Sequence, residues 1–133
     1  MKREIIEVPL VSAAIRSLGV PTSALVRCGE LLYSCGMPPI DVNTGAFVSG
    51  SMEEQTHASL NALRYSLIFA GSDLDHILKT TVYVTDPDAM KIVNEVYASY
   101  FKGDNPARTS LAIKPWRMPF GIEIEAIAVM PSV

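Results

Sequence analysis

The chain has 133 residues, a length that fits one domain with its own hydrophobic core, and 49% of them are hydrophobic, which excludes a disordered chain. The net charge is −3 and Lys and Arg are scattered along the sequence, so we expect no nucleic-acid partner. No apolar run approaches the roughly 20 residues of a membrane span, and the N-terminus has no apolar signal segment, so we expect a cytoplasmic protein with no membrane partner. A mean hydropathy of +0.25 is high for a soluble monomer and favours a subunit interface.

The first predicted elements are two short strands and a long helix. Residues 24–36 form a hairpin pattern that turns at Gly29. Ser51 begins a helix, because Ser51 and Glu54 make a capping box in which each side chain bonds a free backbone N–H of the first turn. Gly71 is suited to the position after the helix. The residues that continue the helix at helical spacing are Leu60, Leu63, Leu67 and Ala70.

The second half of the chain predicts a strand, a helix and two further strands. Leu78 to Thr85 is rich in β-branched residues and predicts a strand. Asp86 as N-cap and Pro87 at the first helical position predict a helix that ends before Gly103. The last two predicted strands are residues 107–113 and 122–130, separated by a loop that contains Trp116.

This order of elements predicts an α/β (α+β) fold: residues 1–133 as a single domain with a mixed β-sheet and two helices packed on one face. In the last strand, one face carries only apolar residues: Ile122, Ile124, Ala126 and Ala128. The other face carries Glu123 and Glu125 beside Ile127 and Val129. We assign the apolar face to the helices and expect the mixed face to meet a partner subunit, with the carboxylates in or beside an intersubunit cleft.

The same region carries a family resemblance. Pro106-Ala107-Arg108-Thr109-Ser110, a spacer and Ile122-Glu123-Ile124-Glu125-Ala126 resemble the C-terminal signature of the RidA family, also called YjgF. Supporting segments are Ser34-Cys35-Gly36-Met37-Pro38, Lys79-Thr80-Thr81-Val82-Tyr83-Val84 and Val93-Asn94-Glu95-Val96-Tyr97, so the resemblance covers residues 20 to 130.

The resemblance implies a chorismate-mutase-like fold, a homotrimer with clefts between subunits, and a cofactor-independent deaminase without a metal. The implied reaction hydrolyses reactive enamines and imines of small carboxylic acids, such as 2-aminoacrylate, to 2-oxo acids and ammonia. By resemblance, Arg108 grips the substrate carboxylate and Glu123 lies near the reacting centre as a second catalytic residue. Asn94 lies close to the cleft, and Cys35 and Gly36 stand where backbone and side chain hold the substrate.

Three positions depart from the family pattern and concern the substrate-binding residues. Thr22 stands where typical members carry a tyrosine, and Ser110, a cleft-lining hydroxyl, where cysteine is frequent. The loop with Trp116 and Phe120 is more aromatic than the common version, and Trp116 either packs at an interface or walls the substrate pocket. These departures motivate one alternative, a deaminase dedicated to one catabolic enamine of the aminomuconate type. A rival of a different class is a non-enzymatic module that uses the same cleft to bind and sense a 2-oxo acid.

The residues themselves leave other interpretations open. Arg108 could form a structural salt bridge with Glu123 or Glu125, and alternation does not separate the two glutamates because they share a face. Cys35 could be a small buried hydrophobe, and we expect no nucleophilic role for it. The two histidines belong to no metal-binding spacing.

Overall fold

A computed structural model describes residues 1–132 of the chain. Its strands are β1 (Arg3–Ile6), β2 (Leu25–Cys28), β3 (Leu31–Ser34), β4 (Ile77–Val84), β5 (Ala107–Ala112) and β6 (Ile122–Val129). Its α-helices are α1 (Val11–Arg16), α2 (Met52–Phe69) and α3 (Met90–Ala98).

The strands form one mixed sheet in the order β1-β2-β3-β6-β4-β5. Neighbouring strands are antiparallel except β4 and β5, which are parallel and are joined through α3. A parallel pair needs such a crossover, because the chain must return to the same end of the sheet. As a result β5, which carries Arg108, is an edge strand, whereas β6, which carries Glu123, lies between β3 and β4.

The apolar face of β6 lies against the helices, as predicted. Ile122, Ile124, Ala126 and Ala128 are all buried in the main hydrophobic core. Leu60, Leu63 and Leu67 of α2 belong to the same core. The mixed α+β fold with helices packed on one face is therefore confirmed.

The predicted capping box sets the start of α2. The Ser51 hydroxyl accepts a hydrogen bond from the Glu54 backbone N–H at 3.1 Å, and the Glu54 carboxylate accepts one from the Ser51 backbone N–H at 3.4 Å. These bonds satisfy donors that the helix itself leaves free. The helix ends before Gly71, whose backbone φ of 94° is rarely adopted by residues other than glycine.

The start of the next helix differs from the prediction. Asp86 and Pro87 begin a short 3₁₀ turn, Pro87–Ala89, and α3 itself begins at Met90. The Asp86 carboxylate accepts a hydrogen bond from the Asp88 backbone N–H at 2.9 Å. A 3₁₀ turn before an α-helix is common and uses the same capping chemistry, so the sequence signal did not separate the two.

The prediction also missed β1 and α1. The residues of β1 are mostly exposed, and the strand is held by antiparallel pairing with β2. Helix α1 has six residues, too few to be stable alone, and forms because Val11, Ala14 and Ile15 are buried in the core. Neither element has a strong local signal, since both depend on tertiary contacts.

Candidate active site

The first cluster of predicted site residues surrounds Arg108 on β5. Its Nε donates a hydrogen bond to the Ser110 hydroxyl at 2.8 Å, and its Nη2 donates one to the Asn94 side-chain oxygen at 2.7 Å. The guanidinium carbon lies 4.4 Å from the ring centroid of Tyr97, a cation–π contact. The structure therefore brings Arg108, Asn94 and Ser110 together, and the guanidinium is fixed from several sides.

Arg108 forms no salt bridge within residues 1–132. Among residues 1–132 the one ion pair joins Arg16 and Glu7, at 2.6 Å on the surface. The alternative of a structural pair between Arg108 and Glu123 or Glu125 is therefore not what this chain forms. Partial burial lowers the pKa of Arg108, but a guanidinium stays protonated in proteins. The side chain is a positioned cation whose Nε and Nη2 groups are engaged, the latter also with the Met90 sulfur at 3.6 Å. Its Nη1 group makes no hydrogen bond within the described residues and can donate to an anion.

The second cluster surrounds Glu123 in a pocket of about 170 Å³. Cys35, Gly36 and Thr22, three of the predicted substrate-binding residues, line it together with Glu123. The carboxylate is close to the backbone of Gly36, because a Cβ atom added at Gly36 would collide with it. The other lining residues, which the sequence analysis missed, are Ile15, Leu18, Val20, Pro38 and Met118.

The environment of this pocket changes the acidity of two groups. Burial, assisted by the negative charge of Glu125, raises the pKa of Glu123 to about 7. Burial and the neighbouring Glu123 raise the pKa of the Cys35 thiol to about 12. Glu123 can therefore exchange protons near neutral pH, whereas Cys35 stays a thiol.

Arg108 and Glu123 lie on opposite faces of the sheet. Arg108 pairs in register with Thr80 of β4, whose buried hydroxyl meets the Tyr97 hydroxyl at 2.7 Å on the helix side. Glu123 pairs with Tyr83 of the same strand. Because side chains alternate along a strand, Thr80 and Tyr83 project to opposite faces. One copy of the chain therefore separates its two predicted catalytic residues.

The remaining predicted residue, Trp116, contacts its own loop. Its indole N–H donates a hydrogen bond to the Phe120 carbonyl oxygen at 2.6 Å, and its ring stands edge-on to the Phe120 ring at 5.9 Å. Phe120 in turn packs against Phe47. Met118 of the same loop reaches the Glu123 pocket, and its place in an unusual loop was the only available sequence signal. A substrate-binding role of Trp116 stays a prediction.

A larger pocket, about 570 Å³ in volume, lies elsewhere, between α2 and residues 40–48. It contains none of the predicted site residues, and its size does not outweigh the chemistry gathered around Arg108 and Glu123. Within residues 1–132, no group of His, Cys, Asp and Glu side chains is arranged to hold a metal ion. In the same part of the chain, no helix combines the length and apolar character that crossing a membrane requires.

Comparisons with known proteins point in one direction. Residues 13–130 match the family model described as Endoribonuclease L-PSP. The chain is 37% identical over 122 residues to a RutC family protein of Pyrococcus horikoshii, covering 92% of this chain and 96% of that protein. It is 34% identical over 127 residues to the mouse 2-iminobutanoate/2-iminopropanoate deaminase, covering 96% and 91% of the two chains. It also resembles the crystal structure of a Rid-family protein of unknown function from Yersinia pestis, with a TM-score of 0.86, 33% identity and coverage of 97% and 100%.

Proposed function

The chain belongs to the YjgF/RidA family, as its match to the Endoribonuclease L-PSP model and its named relatives together show, and we propose that it is a cofactor-independent deaminase of reactive imines and enamines of small carboxylic acids. Relatives named as deaminases of 2-iminobutanoate and 2-iminopropanoate support this activity. The observation that carries the proposal is the pair of complementary groups: a positioned arginine that no carboxylate within residues 1–132 neutralises, and a glutamate that exchanges protons near neutral pH.

The proposed site is completed by a second copy of the chain. Arg108 lies at the sheet edge on the helix side, and Glu123 lies on the opposite face. That opposite face also exposes Tyr33 and Leu111, each 43% accessible, which favours burial against another subunit. We therefore propose a homotrimer in which Arg108 of one subunit meets the Glu123 pocket of its neighbour, with the substrate between them.

The two residues have different tasks in the reaction. Arg108 binds the substrate carboxylate through its charge and its free Nη1 group and so fixes the adjacent C=N carbon. Glu123, as carboxylate, removes a proton from water while the water oxygen bonds to the C=N carbon of the protonated imine and the C=N π electrons pass to the nitrogen, which gives a carbinolamine. The protonated Glu123 then returns its proton to the nitrogen; the hydroxyl proton of the carbinolamine passes to the Glu123 carboxylate as the C–N bond breaks, and ammonia and the 2-oxo acid leave. An enamine first gains a proton at its β-carbon to become the protonated imine.

The pocket around Glu123 bears on the substrate. Its walls are mostly apolar, and its volume of about 170 Å³ suits a small aliphatic side chain. Thr22 lies in this wall, so replacing it should change the range of imines that are accepted more than the activity on the smallest one. One strong response in a broad panel would instead favour a deaminase dedicated to a single enamine.

The family model's description names an endoribonuclease, which is a rival activity. The chain carries 11 Lys and Arg residues against 14 Asp and Glu, without a basic cluster. Because a phosphate backbone is bound mainly through concentrated positive charge, this balance favours the small anion over RNA.

The direct test is imine hydrolysis in the presence of semicarbazide, which condenses with free imine. 2-Aminoacrylate is released from serine by a lyase, and an active deaminase lowers the rate of semicarbazone formation while pyruvate and ammonia accumulate. Arg108→Ala should abolish this effect while light scattering shows an unchanged oligomer. Arg64→Ala, which removes an exposed arginine outside both clusters, is the matched control and should keep full activity.

Two outcomes would contradict the proposal, and a third would reveal a separate activity. Lack of acceleration with 2-aminoacrylate and with every other 2-imino acid would exclude a general deaminase. Binding of 2-oxobutyrate without turnover of any imine would favour the ligand-sensing module. RNA cleavage that persists in the Arg108→Ala variant would place a nuclease activity elsewhere on the chain.

A further inference from the structure

A hydrogen-bonded pair on the helix-free face of the sheet lies directly beside Glu123. The Tyr83 hydroxyl of β4 donates to Oε1 of Glu125 on β6 at 2.6 Å. The backbone register opposes Tyr83 to Glu123 and opposes Thr81 to Glu125. The Tyr83 side chain therefore starts beside one glutamate and ends on the other, a diagonal cross-strand contact.

We propose that Tyr83 is a positioning residue: its hydroxyl holds the Glu125 carboxylate on the Glu123 side of the sheet, so that the negative charge of Glu125 keeps Glu123 able to bind a proton at the pH of the reaction. This inference rests on the catalytic role of Glu123 in the proposed function. Tyr83 and Glu125 need not touch the substrate, because they act through Glu123.

The physical basis is repulsion between two like charges. Alternate residues of a strand are roughly 7 Å apart, and at that separation two carboxylates in a partly desolvated place repel each other appreciably. An ionised carboxylate is an acceptor only, which matches the donated Tyr83 hydroxyl. The same contact raises the pKa of Tyr83, so the phenol remains a donor across the working pH range.

The other groups that face Glu123 do not replace this effect. Cys35, from the segment after β3, stays a neutral thiol because burial raises its pKa to about 12. Lys79 of β4 lies opposite Ile127, which is four residues along β6 from Glu123. Its ammonium donates a hydrogen bond to the Thr109 hydroxyl at 2.8 Å and not to Glu123. In the proposed assembly the cation of Arg108 from another copy lowers the pKa of Glu123, whereas Glu125 raises it. The comparison must therefore be made between variants in the same assembly.

The test measures the protonation of Glu123 itself. The protein is labelled with ¹³C at the glutamate side-chain carboxyl carbons, and the Glu123 resonance is assigned by its loss in Glu123→Gln and followed against pH. Glu125→Gln keeps an oxygen that accepts from Tyr83 but removes the charge. It should lower the pKa of Glu123 by roughly one unit, and the rising limb of the kcat/KM profile should move to lower pH by the same amount.

Two further variants separate positioning from general effects. Tyr83→Phe frees Glu125 and should also lower the pKa of Glu123, and Tyr83→Phe combined with Glu125→Gln should add nothing to Glu125→Gln alone, because both act on one interaction. Glu30→Gln removes an exposed charge in the β2–β3 turn and should leave the pKa of Glu123 unchanged.

The inference fails if Glu125→Gln leaves the Glu123 titration where it is, if Glu30→Gln moves it equally, or if the two substitutions in the double variant act additively. These readings do not need turnover. A protein without deaminase activity would overturn the proposed function and still report whether Tyr83 and Glu125 control the proton on Glu123.

Discussion

Mixed oligomers test the division of the site between subunits. Arg108→Ala and Glu123→Gln should each be inactive alone, because each leaves every site without one of its two functional groups. The two variants are co-produced with different affinity tags and purified on both tags in turn. Every recovered oligomer then contains both kinds of subunit.

The expected recovery of activity follows from the opposite placement of the two side chains on the sheet. In a ring of three, each site takes its arginine from one subunit and its glutamate from the next. A mixed trimer contains two Arg108→Ala subunits and one Glu123→Gln subunit, or the reverse. In both cases a single site has both native residues. Activity should therefore return to about one third of the wild-type value per trimer, whereas a two-fold symmetric dimer would give about one half.

The measurement is kcat for 2-aminoacrylate hydrolysis on doubly purified protein, with the oligomer mass taken from light scattering. Wild-type chains that carry the same two tags are the control for the tags and the purification. Mixed oligomers as inactive as their parents would refute the reasoning, because no single chain in them carries both Arg108 and Glu123. Full activity of either parent would show that the replaced residue has no part in the reaction.

Three further predictions concern Glu123, Gly36 and the capping box of α2. The pKa of Glu123 in the folded protein, about 7, lies above its ordinary value of 4.5, which we take for the unfolded chain. Between these pH values the folded protein keeps a proton on Glu123 that the unfolded chain has lost, so the free energy of unfolding falls as pH rises. Glu123→Gln should therefore raise the free energy of unfolding at pH 8 by about 1 kcal/mol, a figure already reduced for solvent screening, and leave it unchanged at pH 4. Urea unfolding at both pH values checks this, and an equal gain at both would contradict it. Gly36→Ala should lower kcat/KM at least tenfold, because the new methyl group displaces the flexible Glu123 carboxylate, while Tm changes little; unchanged kinetics would argue against the Glu123 geometry. Ser51→Ala should cost about 1 kcal/mol in urea unfolding, against a change within about 0.5 kcal/mol for the neighbouring Ser49→Ala, and equal effects of the two would exclude the cap as the cause.

The local elements with strong signals were predicted well from sequence. The capping box placed the start of α2 because its two hydrogen bonds depend only on residues three apart. The alternation in β6 identified its buried face because side-chain direction along a strand has a fixed period of two. The elements without such signals, β1 and α1, were missed because pairing and burial, not local preference, hold them in place.

The candidate site was predictable in its residue types but not in its arrangement. The sequence alone, through the family signature, selected Arg108, Asn94, Ser110, Cys35, Gly36 and Glu123, and the structure gathers them into two clusters instead of one. Met118 was not selected, because its place in an unusual loop does not by itself indicate that its side chain reaches the Glu123 pocket. The contact between Tyr83 and Glu125 was equally hidden, since 42 residues separate its partners and only the register of β4 against β6 brings them together.

The sequence by itself thus determined the elements with strong local signals and the buried face of the last strand, and it nominated the candidate site residues, because these inferences depend on local spacing and side-chain type. Only the tertiary structure decided that Arg108 and Glu123 face opposite sides of one sheet. That decision depends on strand order and register, which follow from how distant segments pack and which no local pattern encodes.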